Sequence, residues 1–354
     1  MTFRKWAIAS AIAFYTASGS SAFAQQQISV NIGSSYATTN IWANAGKEAF
    51  QPEVDRILKA KGNKYTISWR EGYGTGLFKF NESRAAVRDR IVDVAPVISG
   101  FEGAAMPLQN VTLFVPFATT NHEVLIEIFD KLNAEVAVLR DSWTAQNLVP
   151  LASLVTDSYE IFTKNPIKDI KDLQNKRITS PGTTATWLRG TGAIPVAGAI
   201  TTMYTDIQTG VTEGALSFNT GIAPARIYEV APYGTKVGIG AMYVGSIAVN
   251  KRFFDGLPKD VQDAFREAGK ATSAAHGKNI TKLAATALDT MTKGGLKMTD
   301  LPEAAKMQWI NNMPNLPQPW LEANGEPAKT VLRAYLSELR ARGIKPLRDW
   351  SPAQ

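Results

Sequence analysis

Short runs with the two-residue period of a β-strand alternate with stretches of helical spacing through most of this chain, and that alternation limits the possible folds more than any other property of the sequence. Ile28 to Ile32 alternates apolar and polar side chains, and Ile41 to Leu58 then carries spacing compatible with a helix. Tyr65 to Trp69 is a second strand candidate, a helix is expected from about Asn81 to Arg90, and Val92 to Ile98 gives a third strand ended by Ser99-Gly100. Strand, helix, strand at this spacing points to right-handed crossovers and a mainly parallel sheet. After a helix expected from His122 to Gln146, the alternation restarts with strands at Leu148–Ser153, Tyr159–Thr163, Arg177–Thr179, Ile194–Val196 and Gly214–Phe218, and returns at Gly245–Asn250. Pro258 can open the next helix, and no proline interrupts the chain from there to Met291, so one long helix or two abutting ones could follow. A length of 354 residues accommodates two such α/β units, each with its own core.

Composition removes several functions. There is no cysteine, so disulfides, thiolate nucleophiles and zinc-thiolate or iron–sulfur sites are excluded. The two histidines, His122 and His276, lie far apart and share no metal-ligand spacing. No nucleophile elbow or phosphate loop is present, and Gly72-Tyr73-Gly74-Thr75-Gly76 lacks the third glycine of a dinucleotide fingerprint, so it reads as a tight turn. No cofactor is expected. The formal charge of +7 is spread among acidic residues with no basic block, which argues against nucleic acid as a partner. Residues 1–24 read as a secretory signal peptide: Arg4 and Lys5 precede the apolar Trp6–Thr16, and Ala22-Phe23-Ala24 is a small-x-small cleavage site. The expected location is the periplasm.

A resemblance becomes specific between Leu173 and Gly214. Leu173-Gln174-Asn175-Lys176-Arg177-Ile178-Thr179-Ser180-Pro181-Gly182, then Gly192-Ala193-Ile194-Pro195-Val196, then Met203 to Gly214 with Asp206-Ile207-Gln208-Thr209-Gly210 resembles, in order and spacing, the solute-binding proteins of TRAP (tripartite ATP-independent periplasmic) transporters, the C4-dicarboxylate-binding-like family. Glu82 to Asp93 and Ile247 to Ala268 are similar to flanking parts of that family. The resemblance implies an α/β, two-lobed periplasmic binding protein fold, with mixed, mainly parallel sheets joined by crossing strands and a long helix. On it, lobe I is expected over 27–153 plus 241–283 and lobe II over 154–240 plus 284–340. It implies a monomer that is not an enzyme, capturing a small organic acid in the inter-lobe cleft and delivering it to one small and one large membrane subunit.

Two positions depart from the family pattern: the asparagine that the family places after its Asp-Gly segment is changed, with Ser217 near that place, and an arginine is missing. Most members place an arginine just before Pro-Gly, where its planar fork pairs with a ligand carboxylate, and here that position is Thr179. Arg177 stands two residues earlier, about 6.6 Å along the strand, and reads as an exposed surface residue. In place of the arginine, Thr179 and Ser217, with Asn219 following, are candidate neutral hydrogen-bonding groups, while Tyr36, Trp42, Tyr159, Trp187 and Phe218 are candidate apolar walls. Glu82 is a candidate for a ligand hydroxyl or amine. Together these suit an aromatic or monocarboxylate ligand. An exported α/β hydrolase with converged carboxylates is the competing reading, and a periplasmic signalling module on the same fold is a third.

Overall fold

The structure, a computed structural model, describes residues 25–351. The expected signal peptide lies outside the described residues. The chain opens with β1 (Gln26–Ser34), which buries Val30 and Ile32 completely. Asn40 caps α1 (Ile41–Asn44) by accepting from the Trp42 and Ala43 amides, as a short polar side chain does for unpaired helix-start donors. One π-helical stretch, Ala45–Phe50, continues into α2 (Gln51–Ala60), so the helix expected over 41–58 is present with a wider turn in its middle. β2 (Tyr65–Tyr73) pairs in parallel with β1 along its whole length. The short α3 (Ser83–Arg88) then leads into β3 (Val94–Ile98), whose five residues are all buried.

Two helices replace the single one expected over 122–146. α4 (His122–Glu135) and α5 (Ala137–Ala145) are separated by Val136, whose extended backbone at φ −85° and ψ 101° breaks the helical path. β4 (Leu148–Val155) follows, and the chain passes to β5 (Tyr159–Thr163), β6 (Arg177–Ser180) and β7 (Ile194–Ala197). Gly182–Leu188 forms 3-10 turns after β6. α6 (Ile200–Gln208), β8 (Gly214–Phe218), α7 (Asn219–Ile222) and β9 (Tyr233–Lys236) come next, and the chain returns in β10 (Tyr243–Asn250). It ends with α8 (Lys251–Asp255), α9 (Lys259–Lys293), β11 (Lys297–Asp300), α10 (Glu303–Asn312) and α11 (Pro317–Ala341).

The strands form two sheets, β2-β1-β3-β10-β4 and β11-β9-β5-β8-β6-β7. In the first, only β10 runs against its neighbours, and in the second only β5 does. Those reversed strands are the ones the chain enters directly after passing between sheets. The two passages, residues 156–158 and 237–242, bond to each other: the Thr156 amide donates to the Met242 carbonyl at 3.0 Å and the Tyr159 amide to the Gly240 carbonyl at 3.0 Å. Gly245 opens β10 against β3 at φ 146°, where a Cβ would meet the Val97 carbonyl oxygen at 1.9 Å, so no larger residue fits this crossing.

α9 is a single helix and makes the third link. About a third of the way along it, Gly269 lets the helix approach β4 so closely that a Cβ would stand 2.3 Å from the Leu151 carbonyl oxygen. Ser273 Oγ and His276 Nε2 then accept from the Ser153 and Val155 amides, satisfying donors on the outer edge of β4 that would otherwise be open to pairing with another strand. At its far end Met291 packs with Phe162 and Met203 of the second sheet's core. α10 also lies with the second sheet, its Trp309 indole donating to the Trp187 carbonyl at 2.8 Å. By contrast α11 packs on α4, α5 and the 3-10 turns Leu108–Phe114 of the first sheet. The stretch 284–340, expected as a unit with the second lobe, therefore divides between the two, because the apolar stripe of α11 (Val331, Leu332, Tyr335, Leu336, Leu339) is buried on the first. Among the described residues no helix is long and apolar enough to cross a membrane.

Candidate functional site

A cavity of about 270 Å³ lies where the two sheets meet. From the first sheet's side it is lined by Tyr36, the start of α1 (Thr39 to Trp42), Phe80, and the segment after β3 (Ile98, Gly100, Phe101), with Met242 and Val244 of β10 and its approach. From the other side come Tyr159 at the start of β5, Pro181, Thr184, Ala199 to Thr201, and, at the end of β8 and in the turn after it, Phe218, Thr220, Gly221, Pro224 and Ala225. The Asn40 cap fixes the direction in which Trp42 leaves the backbone, and the Trp42 indole donates to the Val155 carbonyl at 3.2 Å. The Val155 amide in turn donates to His276 Nε2 at 3.2 Å. Burial depresses the His276 pKa to about 4, which keeps the ring neutral and able to accept.

The wall is a chain of rings. Tyr36 meets Trp42 edge-on with centroids 5.7 Å apart, Trp42 meets Phe218 across the junction at 6.3 Å, and Phe218 meets Tyr159 at 5.2 Å. Phe80 and Phe101 form a second edge-to-face pair at 5.0 Å. Burial pushes the Tyr36 hydroxyl pKa up to about 12 and raises that of Tyr159, with the Asp157 carboxylate adding to the latter. Asp157 itself is buried just behind Thr220, whose Oγ1 and amide both donate to it, at 2.5 and 3.3 Å. Desolvation raises its pKa to about 6 despite these donors. Among the described residues lining the cavity there is no arginine, lysine or histidine.

Of the nine residues singled out in the sequence, the structure brings Tyr36, Trp42, Tyr159 and Phe218 together in this wall. The other five stand elsewhere. Thr179 is fully buried and spends its hydroxyl on Thr212 Oγ1 at 2.9 Å. Its register partner is Ala215, which packs in the core on the far side of the second sheet, while Leu216 and Phe218 face the other way. Ser217 lies between those two and so shares the Ala215 face, since neighbours on a strand alternate. Asn219 does not line the cavity, and its Oδ1 is buried without a partner. Trp187 is one layer deeper, packed edge-on against Tyr159 at 5.1 Å, with its indole donating to the Leu113 carbonyl. Glu82 is exposed and accepts from the Lys79 amide. Arg177 is exposed and donates to the Gly210 carbonyl. Phe80, Phe101, Ile200 and Met242 were not legible as site residues, because they sit in irregular or terminal positions where no periodicity marks a face.

Comparison with known proteins places this arrangement. The family model described as bacterial extracellular solute-binding protein, family 7, matches residues 80–322. The chain is 32% identical over 103 residues to the C4-dicarboxylate-binding periplasmic protein DctP of Rhodobacter capsulatus, a match covering 28% of this chain and 30% of that protein's own length. It is 23% identical over 244 residues to a solute-binding protein of Albidiferax ferrireducens, covering 67% of this chain and 70% of that one. Among solved structures, a TRAP solute-binding protein from a marine metagenome, in complex with co-purified pyroglutamate, superposes with a TM-score of 0.72 at 22% identity, over 88% of this chain and 99% of that one. A TRAP periplasmic solute-binding protein of Sulfitobacter sp. NAS-14.1 with bound β-D-galacturonate gives 0.73 at 19% identity, over 88% and 100%. These two likenesses establish the two-lobed fold. The family match, which spans well over half of the sequence, decides membership: the chain belongs to the bacterial extracellular solute-binding proteins of family 7.

Proposed function

We propose that this chain is the extracytoplasmic solute-binding subunit of a TRAP-type transporter, which captures a small organic acid, monocarboxylate or aromatic, and hands it to a small and a large membrane subunit. The observation that carries the reading is the cavity at the junction of the two sheets, walled from both sides and flanked by the passages that join them. A site of this form can be shut around a solute by a small rotation of one side against the other, and closure excludes water and strengthens each polar contact. The similarity to proteins that bind pyroglutamate and β-D-galacturonate supports an organic acid. In this reading Tyr36, Trp42, Tyr159 and Phe218 touch the ligand, the two sheets are the cores of two moving lobes, and residues 1–24 direct export. The protein acts as a monomeric receptor and not as an enzyme.

A calorimetric titration of the purified chain with a panel of monocarboxylic, aromatic, dicarboxylic and sugar acids tests this. Saturable uptake of one solute per chain without turnover is the expected result. Conversion of the solute to product, or saturation by none of the panel together with no small molecule released from freshly purified protein, would sink the proposal.

A further inference from the structure

Resting on the receptor reading, and narrowing it, we infer that the cleft recognises a ring-bearing solute with at most one negative charge and holds it without an ion pair. The charge inventory comes first. No cationic side chain lines the cavity among the described residues, although the chain carries 38 lysines and arginines. Of those on nearby segments, Arg84, after Phe80, donates to Glu102 and Gln146, Arg226, after Ala225, is paired with Glu229 at the surface, and Lys79, before Phe80, is exposed and does not line the cavity. Behind the wall stands a carboxylate, Asp157, one contact beyond the lining residue Thr220. A dianion drawn into this space would lose its hydration, meet no counter-charge, and face a carboxylate.

What the wall offers instead is flat surface and neutral donors. Six rings line it, and their faces carry partial negative charge that further disfavours an anion lying across them. The hydroxyls of Tyr36 and Tyr159 have no hydrogen-bond partner among the described residues, and both have pKa values raised by burial, so each stays protonated and able to donate. A single carboxylate, amide or lactam oxygen at the edge of a ring can accept from such hydroxyls. The volume of about 270 Å³ sits near the low end for small-molecule sites and suits one ring with a short polar arm. Recognition by faces and neutral donors differs from an ion pair in how it responds to charge: replacing a ligand carboxylate by its uncharged isostere removes little when no cation waits for it.

The test is a calorimetric comparison of phenylacetate, phenylacetamide and succinate on the full chain, at low salt and at roughly 0.5 M salt, where screening is strong. The expected result is that the acid and its amide bind within about tenfold of each other, that neither affinity changes with salt, and that succinate does not bind. Tyr159→Phe, which keeps the ring and removes the hydroxyl, is expected to weaken both by roughly five- to tenfold. An acid that binds more than about a hundredfold tighter than its amide, with affinity falling as salt rises, would reveal an ion pair and overturn the inference. So would binding of succinate, or silence from both ring compounds. Each of these leaves the receptor reading standing, since that reading falls on other results: turnover of the solute, or failure of the wider panel of acids together with no solute co-purifying.

Discussion

The passage at 237–242 borders two hollows of opposite character. The cleft is walled by six aromatic residues and, among the described residues, by no cation. The second, about 480 Å³, is lined by Phe117 to Thr120, Val237 and Gly238, and is rimmed by Lys236, Lys306 and Lys345 with Asp300. A buried carboxylate stands behind each: Asp157 behind the cleft, held by Thr220, and Glu160 behind the second hollow, accepting from the Val237 and Gly238 amides. Desolvation raises the pKa of both acids, but only Glu160 has a lysine, Lys236, opposing the shift. The difference teaches that positive charge is placed on this molecule with discrimination. A chain of +7 has cations to spare at one hollow and keeps them out of the other. Long-range attraction can bring an acid near such a surface, while on the inference above the cleft itself would choose by shape.

Removing the ring that joins the two sides of the cleft strikes hardest at this contrast. Trp42→Ala should weaken solute binding by roughly a hundredfold, about 3 kcal/mol, and lower the melting temperature as well, because the indole is both a contact surface and a donor to Val155. Calorimetry and a thermal melt on one sample separate the two effects. The next test concerns Asp157. Its folded pKa, about 6, lies above its unfolded value near 3.8, so its contribution to stability is full below pH 4 and is lost as pH rises through 6. The amount is on the order of 3 kcal/mol. Asp157→Asn should flatten that part of the stability-versus-pH curve, and an unchanged fall between pH 4 and 6 would mean the carboxylate is not desolvated as described.

Smaller effects sharpen the comparison. Thr201→Arg would place a cation on an exposed part of the cleft wall. It should tighten binding of a monocarboxylate by up to about fivefold and make that affinity fall with salt. If affinity rises far more, the cleft lacked only a partner for an anion, and selection by shape is the weaker influence. Smallest of all, Lys345→Ala at the second hollow should change solute affinity less than about twofold and stability by no more than about 0.5 kcal/mol, measured in the same assays. A large loss there would tie the two hollows together.

Much of this arrangement is written in the strands. The β-type runs at Tyr159–Thr163 and Gly214–Phe218 appear as expected, and the rings at their ends reach the cleft. Face is harder to read than position. Phe218 and Ser217 are adjacent, and a strand sends adjacent side chains to opposite sides, so both could not line one cavity. In a strand buried on both faces, as β8 is, hydrophobicity does not reveal which side holds the site. Thr179 carried the departure from the family pattern, yet it lies against Thr212 and Gly198. Depth is equally hidden: Trp187 and Tyr159 touch, but only Tyr159 reaches the space. Phe80 and Phe101 come from segments without period, and only tertiary packing pairs them.

The passages at 156–158 and 237–242 have a consequence for how selectivity can change. Tyr159 and Met242 line the cleft, and both bond across the passages through their own backbones. On the proposed reading, two of the residues that meet the solute also belong to the joint about which the two halves would turn, so sensing and movement share them. A substitution here that broadens the range of accepted solutes also alters the stiffness of the joint. Taste and timing are thus inherited together, and variants selected for a new solute at these two positions should carry altered opening rates even where their affinity is restored.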